Sequence, residues 1–116
     1  MPKDPFLENA VMDVLWDSGG WLTPRDVQSR LPVERTVEYT TVMTVLARLW
    51  KKGRLERERS GRAYAYIPVH TRDEHAALRM EEILEAAGDR SLALTQFAEQ
   101  LSAPEREKLK VILEGE

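Results

Sequence analysis

The stretch TTVMTVLARLWKKG, residues 40–53, carries two different faces on one predicted helix. Its apolar residues recur at helical spacing: Val42, Val45, Leu46 and Leu49. This spacing predicts a helix that packs on a core. Threonine is a mediocre helix former, because its branched side chain loses rotamer freedom in a helix, yet threonines recur on the other face. Either they are incidental, or that face contacts another molecule.

The residues before this stretch predict two more helices. Apolar spacing indicates a helix over residues 6–17, which the glycine pair at 19–20 ends. Thr23 and Asp26 match the spacing of a capping box at the start of a second helix, which ends at Pro32. The third helix is expected to begin near Glu38 and to end at Gly53.

A β-hairpin is predicted directly after the third helix. Residues 55–59 and 63–69 flank a turn at Ser60 and Gly61, and Tyr64 and Tyr66 alternate with Ala63, Ala65 and Ile67 in the second segment. Residues 21–22 form a short extended piece. A pair of helices followed by a hairpin is the element order of a winged-helix domain. In that fold, the second helix of the pair enters the DNA major groove, and the hairpin reaches toward the backbone.

Three short helices are expected in residues 71–116. Capping boxes at Thr71 and Ser102 begin two of them. Their apolar stripes include Met80, Ile83, Leu84, Leu101, Leu109, Ile112 and Leu113. So small a helical unit seldom stabilises itself, so we expect the stripes to join two chains in a homodimer. The alternative is that they fold back on their own winged-helix domain.

The predicted fold is therefore mainly α with a small β-hairpin. Residues 1–70 form a winged helix-turn-helix domain for DNA binding, and residues 71–116 form a C-terminal helical dimerisation region. The partners expected from this architecture are a double-stranded DNA operator and a second copy of the chain, since a twofold dimer matches a palindromic site.

The formal net charge of −3 conceals an asymmetric distribution. Acidic residues outnumber basic ones after residue 70, whereas basic residues are concentrated in the segment 48–62. A local basic patch is the electrostatic footprint of phosphate binding, although charge alone fits a solvated hairpin equally well. The candidate DNA-binding residues are Thr40, Thr41, Met43, Thr44, Arg48, Lys51, Arg57, Arg59 and Arg62.

Several other chemistries are not expected from this composition. The chain has no cysteine, which removes disulfides and thiolate sites and suits a reducing cytoplasm. His70 and His75 are not spaced to share a helix face, so neither a metal site nor a cofactor is predicted. There is no long apolar run and no apolar signal-peptide core near the start, so membrane insertion is not expected. An enzyme is the least supported class.

Three segments resemble the BlaI/MecI penicillinase-repressor family, which also includes copper-responsive relatives: AVMDVLW at 10–16, YTTVMTVLARLWKKG at 39–53 and RAYAYIPV at 62–69. The resemblance implies a winged-helix repressor whose C-terminal helices form a homodimer. It further implies a dyad operator with TACA-type and TGTA-type half-sites. It assigns recognition-helix positions to Thr40, Thr41, Met43, Thr44 and Arg48.

The same resemblance implies a way of ending repression. In the family, a membrane-bound sensor protease, or a factor under its control, triggers cleavage at an Asn–Phe bond in the C-terminal region. The stretch SLALTQFAEQL places Gln96 and Phe97 at the matching position. Phe97 could equally be a core anchor of its helix. Two other functions remain open, a winged helix used for protein–protein assembly and a DNA-binding regulator that responds to a small molecule.

Overall fold

The structure is a computed structural model, and it describes residues 5–115. The expectation about a signal peptide concerns the start of the chain and lies largely outside this range. The elements follow in the order α1 (Pro5–Ser18), α2 (Pro24–Arg30), a 3-10 turn (Val33–Arg35), α3 (Tyr39–Lys51), β1 (Leu55–Ser60), β2 (Ala63–Pro68), α4 (Arg72–Ala86), α5 (Arg90–Gln100) and α6 (Ala103–Glu114). The predicted class, mainly α with one hairpin, is confirmed.

Local capping signals fix the start of α2 and the end of α3 as predicted. The backbone N–H of Asp26 donates to Thr23 Oγ1 at 3.2 Å, and the backbone N–H of Thr23 donates to Asp26 Oδ2 at 3.1 Å. That second bond holds the pKa of Asp26 below its ordinary value of 3.8. The cap therefore stabilises the fold fully above pH 3.8. This stabilisation is lost as the pH falls through the lowered pKa and the Asp26 carboxylate is protonated. Gly53 follows α3 at φ +79°, a left-handed conformation that favours glycine.

The core lies between α1, α2, α3 and the base of the hairpin. All four apolar residues that were predicted to face inward on α3 are buried. The largest fully buried side chains are Leu15, Leu46, Leu49, Val11, Val27 and Val42. Leu22 joins the hairpin to this core through two backbone hydrogen bonds with Tyr66, of 3.0 and 2.7 Å. The hairpin is thereby held beside the C-terminal end of α3.

The hairpin turn lies one residue later than predicted. Ser60 pairs with Ala63 at the end of the antiparallel ladder, so the turn consists of Gly61 and Arg62 rather than Ser60 and Gly61. Gly61 has φ +64°, and two-residue hairpin loops favour such a conformation because it matches the twist of the strands. This shift places Arg62 at the tip itself.

The chain divides into two compact units, one ending at His75 and the other beginning at Ala76. The division therefore falls inside α4, whereas the sequence placed the domain boundary between residues 70 and 71. The first turn of α4 belongs to the first unit because Arg72 pairs with Asp13 and Asp17 of α1, each at 3.3 Å. The DNA-binding and dimerisation roles of the two parts stay predictions.

The second unit has no buried core among residues 76–115, all of which are at least partly exposed. Phe97 is 45% exposed, so it does not act as a core anchor of α5 within a single chain. It lines an apolar groove together with Met80, Leu101, Leu109 and Ile112. The predicted apolar stripes are thus present and uncovered.

Candidate nucleic-acid interface

The N-terminal half of α3 presents the predicted polar face to solvent. Thr40, Met43 and Thr44 are exposed, and Thr41 is half-buried. The helix is fixed from behind by its buried apolar stripe, which leaves this face available to a ligand. In a helix-turn-helix protein, it is the N-terminal residues of the second helix that contact base edges.

The threonine hydroxyls are partly engaged within the helix. Thr44 Oγ1 donates a hydrogen bond to the backbone carbonyl of Thr40 at 2.9 Å. This back-bonding satisfies the donor while leaving a hydroxyl lone pair and a methyl group for an incoming partner. A hydroxyl lone pair can accept from an exocyclic base amine, and a methyl group can contact a thymine methyl. The face is therefore chemically suited to the floor of a major groove.

Two basic residues, one in the last turns of α3 and one directly after the helix, form ion pairs with α1. Arg48 Nη1 lies 3.6 Å from Glu8 Oε2, and Lys52 Nζ lies 3.3 Å from both oxygens of the same carboxylate. Arg48 was predicted as a DNA contact, and Glu8 was not singled out at all. The pairing could not be predicted, because α1 and α3 are far apart along the chain. Lys51 is exposed.

We expect Glu8→Gln to raise the affinity for DNA. The substitution removes one negative charge and frees Arg48 and Lys52 to contact phosphates. Each added phosphate contact steepens the dependence of log K on log salt by about 0.9. Binding to a mixed-sequence duplex should therefore become tighter at low salt and more salt-dependent, as measured by fluorescence anisotropy. Glu34→Gln, which removes an exposed charge outside α1, is the matched control; an equal gain there would show a net-charge effect only.

Not every basic residue in the 48–62 segment contributes to the exposed patch. Arg54 is 8% exposed, and its guanidinium lies 3.3 Å from Nδ1 of His75. Burial in this position is a matter of packing and cannot be read from local charge. Apart from Lys52, which pairs with Glu8, the exposed basic residues of this segment are Lys51, Arg59 and Arg62.

The hairpin carries its arginines on a definite face. Arg57 and Arg59 pair with Tyr66 and Tyr64 across the ladder, so both lie on the same face. The Arg59 guanidinium lies 5.4 Å from the ring centre of Tyr64 and is exposed. Arg62 is exposed at the turn. The candidate interface therefore combines the exposed polar face of α3 with a cationic hairpin tip.

One further pair was missed by the sequence interpretation. Arg25 is exposed on α2, with its guanidinium 5.5 Å from the ring centre of Tyr39, the first residue of α3. An arginine and a tyrosine at the start of a recognition helix are suitable donors for phosphate. The contact depends on the packing of α2 against α3, so the local sequence around Arg25 does not reveal it.

No group of acidic or histidine side chains in the described residues could hold a metal ion. His70 pairs with Glu74 at 3.8 Å, while the His75 ring lies 5.2 Å from the Trp16 ring. Among the described helices, none has both the length and the apolarity to cross a membrane.

Comparison with known proteins identifies the family to which this chain belongs. A sequence profile of the penicillinase repressor family matches residues 6–115. The chain belongs to the penicillinase repressor family. Over 107 residues it is 45% identical to the transcriptional regulator BlaI from two strains of Mycobacterium tuberculosis, an alignment covering 90% of this chain and 78% of the relative. A solved structure of the CopR repressor is 36% identical, with a TM-score of 0.46, over 53% of this chain and 87% of that one.

Membership in the penicillinase repressor family fixes the class of protein. The chain is a DNA-binding transcriptional repressor of winged-helix type. Its relatives are transcriptional regulators, which are not enzymes, and the prediction of a non-enzymatic function is confirmed on that ground. The resemblance drawn from the three quoted segments is likewise confirmed.

Proposed function

We propose that the chain is a cytoplasmic homodimeric repressor that binds a palindromic operator. One α3 helix enters the major groove of each half-site, and each hairpin contacts the adjacent phosphates. The observation that supports this most strongly is the exposed Thr40, Met43 and Thr44 face of α3 beside a cationic hairpin tip. Base edges and phosphates require these two kinds of surface side by side.

Side-chain chemistry indicates which residues of this interface contact base edges and which contact phosphates. Thr40, Thr41, Met43 and Thr44 offer short polar and apolar groups for base edges. The candidates for direct phosphate contact are Arg25, Arg48, Lys51, Arg59 and Arg62. Arg57, also predicted as a DNA contact, packs on the rings of Trp50 and Tyr64. Because Arg48 is paired with Glu8 in the free protein, its contact with DNA requires that this ion pair be exchanged or shared.

We expect Thr44→Ala and Arg59→Ala to weaken binding in different ways. Thr44→Ala should lose about 1–3 kcal/mol on a duplex with TACA and TGTA half-sites and little on a mixed-sequence duplex, since it removes base readout. Arg59→Ala should weaken both complexes similarly and reduce the salt slope by about 1. Fluorescence anisotropy titrations measure the affinity for both duplexes. Glu56→Ala, on the same strand as Arg59, is the control. A Thr44→Ala protein that binds like wild type would contradict the recognition-helix assignment.

The homodimer is supported by the uncovered apolar face of the second unit. Leu101 and Leu109 line two adjoining apolar grooves, one continuing to Met80, Phe97 and Ile112 and the other to Leu113. Exposure of so many large apolar side chains marks an interaction site. A second copy of the chain, related by a twofold axis, would cover the face and set the spacing of two α3 helices.

We expect release from the operator to follow cleavage at Gln96–Phe97 by a partner protease. The bond lies inside α5, so a protease must first unwind that helix. Cleavage would detach α6 and its Leu109, Ile112 and Leu113, leaving monomers that lose the advantage of two linked half-sites. Immunoblots of induced cells should show the fragments as repression ends. A Gln96→Ala chain is the uncleaved comparison, because Gln96 lines neither apolar groove. Release with the full-length chain intact would contradict proteolysis.

Two other functions predict different results in the same assays. A winged helix used only for protein assembly would bind neither duplex in a salt-dependent manner. A regulator that responds to a small molecule would release the operator without cleavage. The exposed α3 face and hairpin tip favour DNA over the first alternative.

A further inference from the structure

Arg57 is distinguished from the other hairpin arginines by its packing on two aromatic rings. Its guanidinium carbon lies 3.5 Å from the ring centre of Trp50 and 4.0 Å from that of Tyr64. Trp50 is in the last turn of α3, Arg57 is in β1 and Tyr64 is in β2. One guanidinium thus connects the recognition helix to both strands of the hairpin. We call Trp50, Arg57 and Tyr64 the wing clamp.

The wing clamp lies between the base of the hairpin, which packs on the core, and the tip, which is exposed to solvent. Toward the base, Leu55 is buried in the core on the same face as Arg57, and Tyr66, directly opposite Arg57, is buried there as well. Toward the tip, residues 59–62 are all exposed. A two-stranded hairpin is marginally stable by itself, so the orientation of this tip depends on the last contacts that hold it against α3.

The chemistry of Arg57 suits a structural role of this kind. A guanidinium is planar and weakly hydrated, and it stacks on aromatic faces in a way that a lysine ammonium does not reproduce. Trp50, at 37% exposure, and the half-buried Tyr64 supply those faces at the protein surface. The sequence marked Arg57 only as a candidate DNA-binding residue; its contact with Trp50 was not predicted.

We propose that Arg57 is a positioning residue that fixes the hairpin tip against α3, so that Arg59 and Arg62 reach the DNA backbone while α3 occupies the groove. This inference rests on the proposed DNA-binding function. It assigns the effect of Arg57 to the wing clamp rather than to its own charge. It therefore implies that an uncharged member of the clamp, Trp50, matters for DNA affinity as much as Arg57 does.

The test compares variants that leave the charge of the full-length chain unchanged. Trp50→Leu and Arg57→Lys should each weaken binding to a mixed-sequence duplex about three- to ten-fold, the size of one or two cation–π contacts. Trp50→Phe, which retains a ring, should stay close to wild type. In the free protein, amide hydrogen exchange across residues 59–62 should be faster in Trp50→Leu and Arg57→Lys than in wild type or Trp50→Phe.

Each outcome of this test is decisive. Wild-type affinity and exchange in both Trp50→Leu and Arg57→Lys would overturn the proposal and leave Arg57 as an ordinary phosphate contact. If the wild-type chain does not bind the duplex, the proposed function is wrong. Amide hydrogen exchange across residues 59–62 then tests by itself whether the wing clamp holds the hairpin tip. Arg57→Lys leaves every core residue unchanged, so this variant tests the positioning role of Arg57 if Trp50→Leu does not fold.

Discussion

Leu109→Asp is expected to lower the affinity for a palindromic operator by about 10²–10⁴-fold, because it separates the two copies that hold the two half-sites. Leu109 lines both apolar grooves of the second unit, so its carboxylate would be buried in any interface that covers them. Twofold symmetry would place a second carboxylate in the same interface. Light scattering should show a monomer at concentrations where the wild type is a dimer.

The matched control for this variant lies on the same helix. Val111 is 58% exposed and lines neither groove, so Val111→Asp introduces the same charge outside the proposed interface. It should remain a dimer and retain operator affinity. If Leu109→Asp remains a dimer, the proposed dimer interface is wrong. If it becomes a monomer with unchanged operator affinity, linkage of the half-sites does not contribute to binding.

Leu46→Ala is expected to lower the free energy of unfolding of the first unit by about 2–5 kcal/mol, as large-to-small core substitutions do. Leu46 is completely buried on the inner side of α3. The cavity would therefore form directly behind the recognition face. Trp16, Trp21 and Trp50 are the three tryptophans of the chain, and all precede His75. Urea denaturation followed by tryptophan fluorescence thus reports on the first unit.

Leu113→Ala is the control for the core substitution. Leu113 is 77% exposed in the second unit, so its truncation should leave the tryptophan-detected unfolding of the first unit nearly unchanged. The same variant should weaken dimerisation. A Leu46→Ala protein with wild-type stability would contradict the burial of α3 against the core.

The parts of the fold that were predictable are those governed by neighbouring residues. The apolar stripe of α3, the capping box at Thr23 and the glycine at position 53 act over one or two helical turns, so their spacing is visible in the sequence. The hairpin turn was misplaced by one residue because both Ser60 and Gly61 favour turns. Only the ladder register shows that Ser60 is paired.

The parts of the candidate site that were not predictable depend on contacts between distant segments. Glu8 reaches Arg48 and Lys52 across the α1–α3 packing, and the burial of Arg54 depends on α4. Charge patterning along the chain treats all these arginines alike. Tertiary packing separates them into paired, buried and exposed groups.

The central claim is that α3 and the hairpin bind a palindromic operator as parts of a dimer. Equilibrium binding of the full chain, measured across salt concentrations, tests it most directly with two duplexes: one carrying TACA and TGTA half-sites in dyad arrangement and one with both half-sites scrambled. The account predicts binding to the dyad that is at least about 10³-fold tighter, with affinity falling steeply as salt rises. Equal affinity for the two duplexes, or affinity independent of salt, would contradict it.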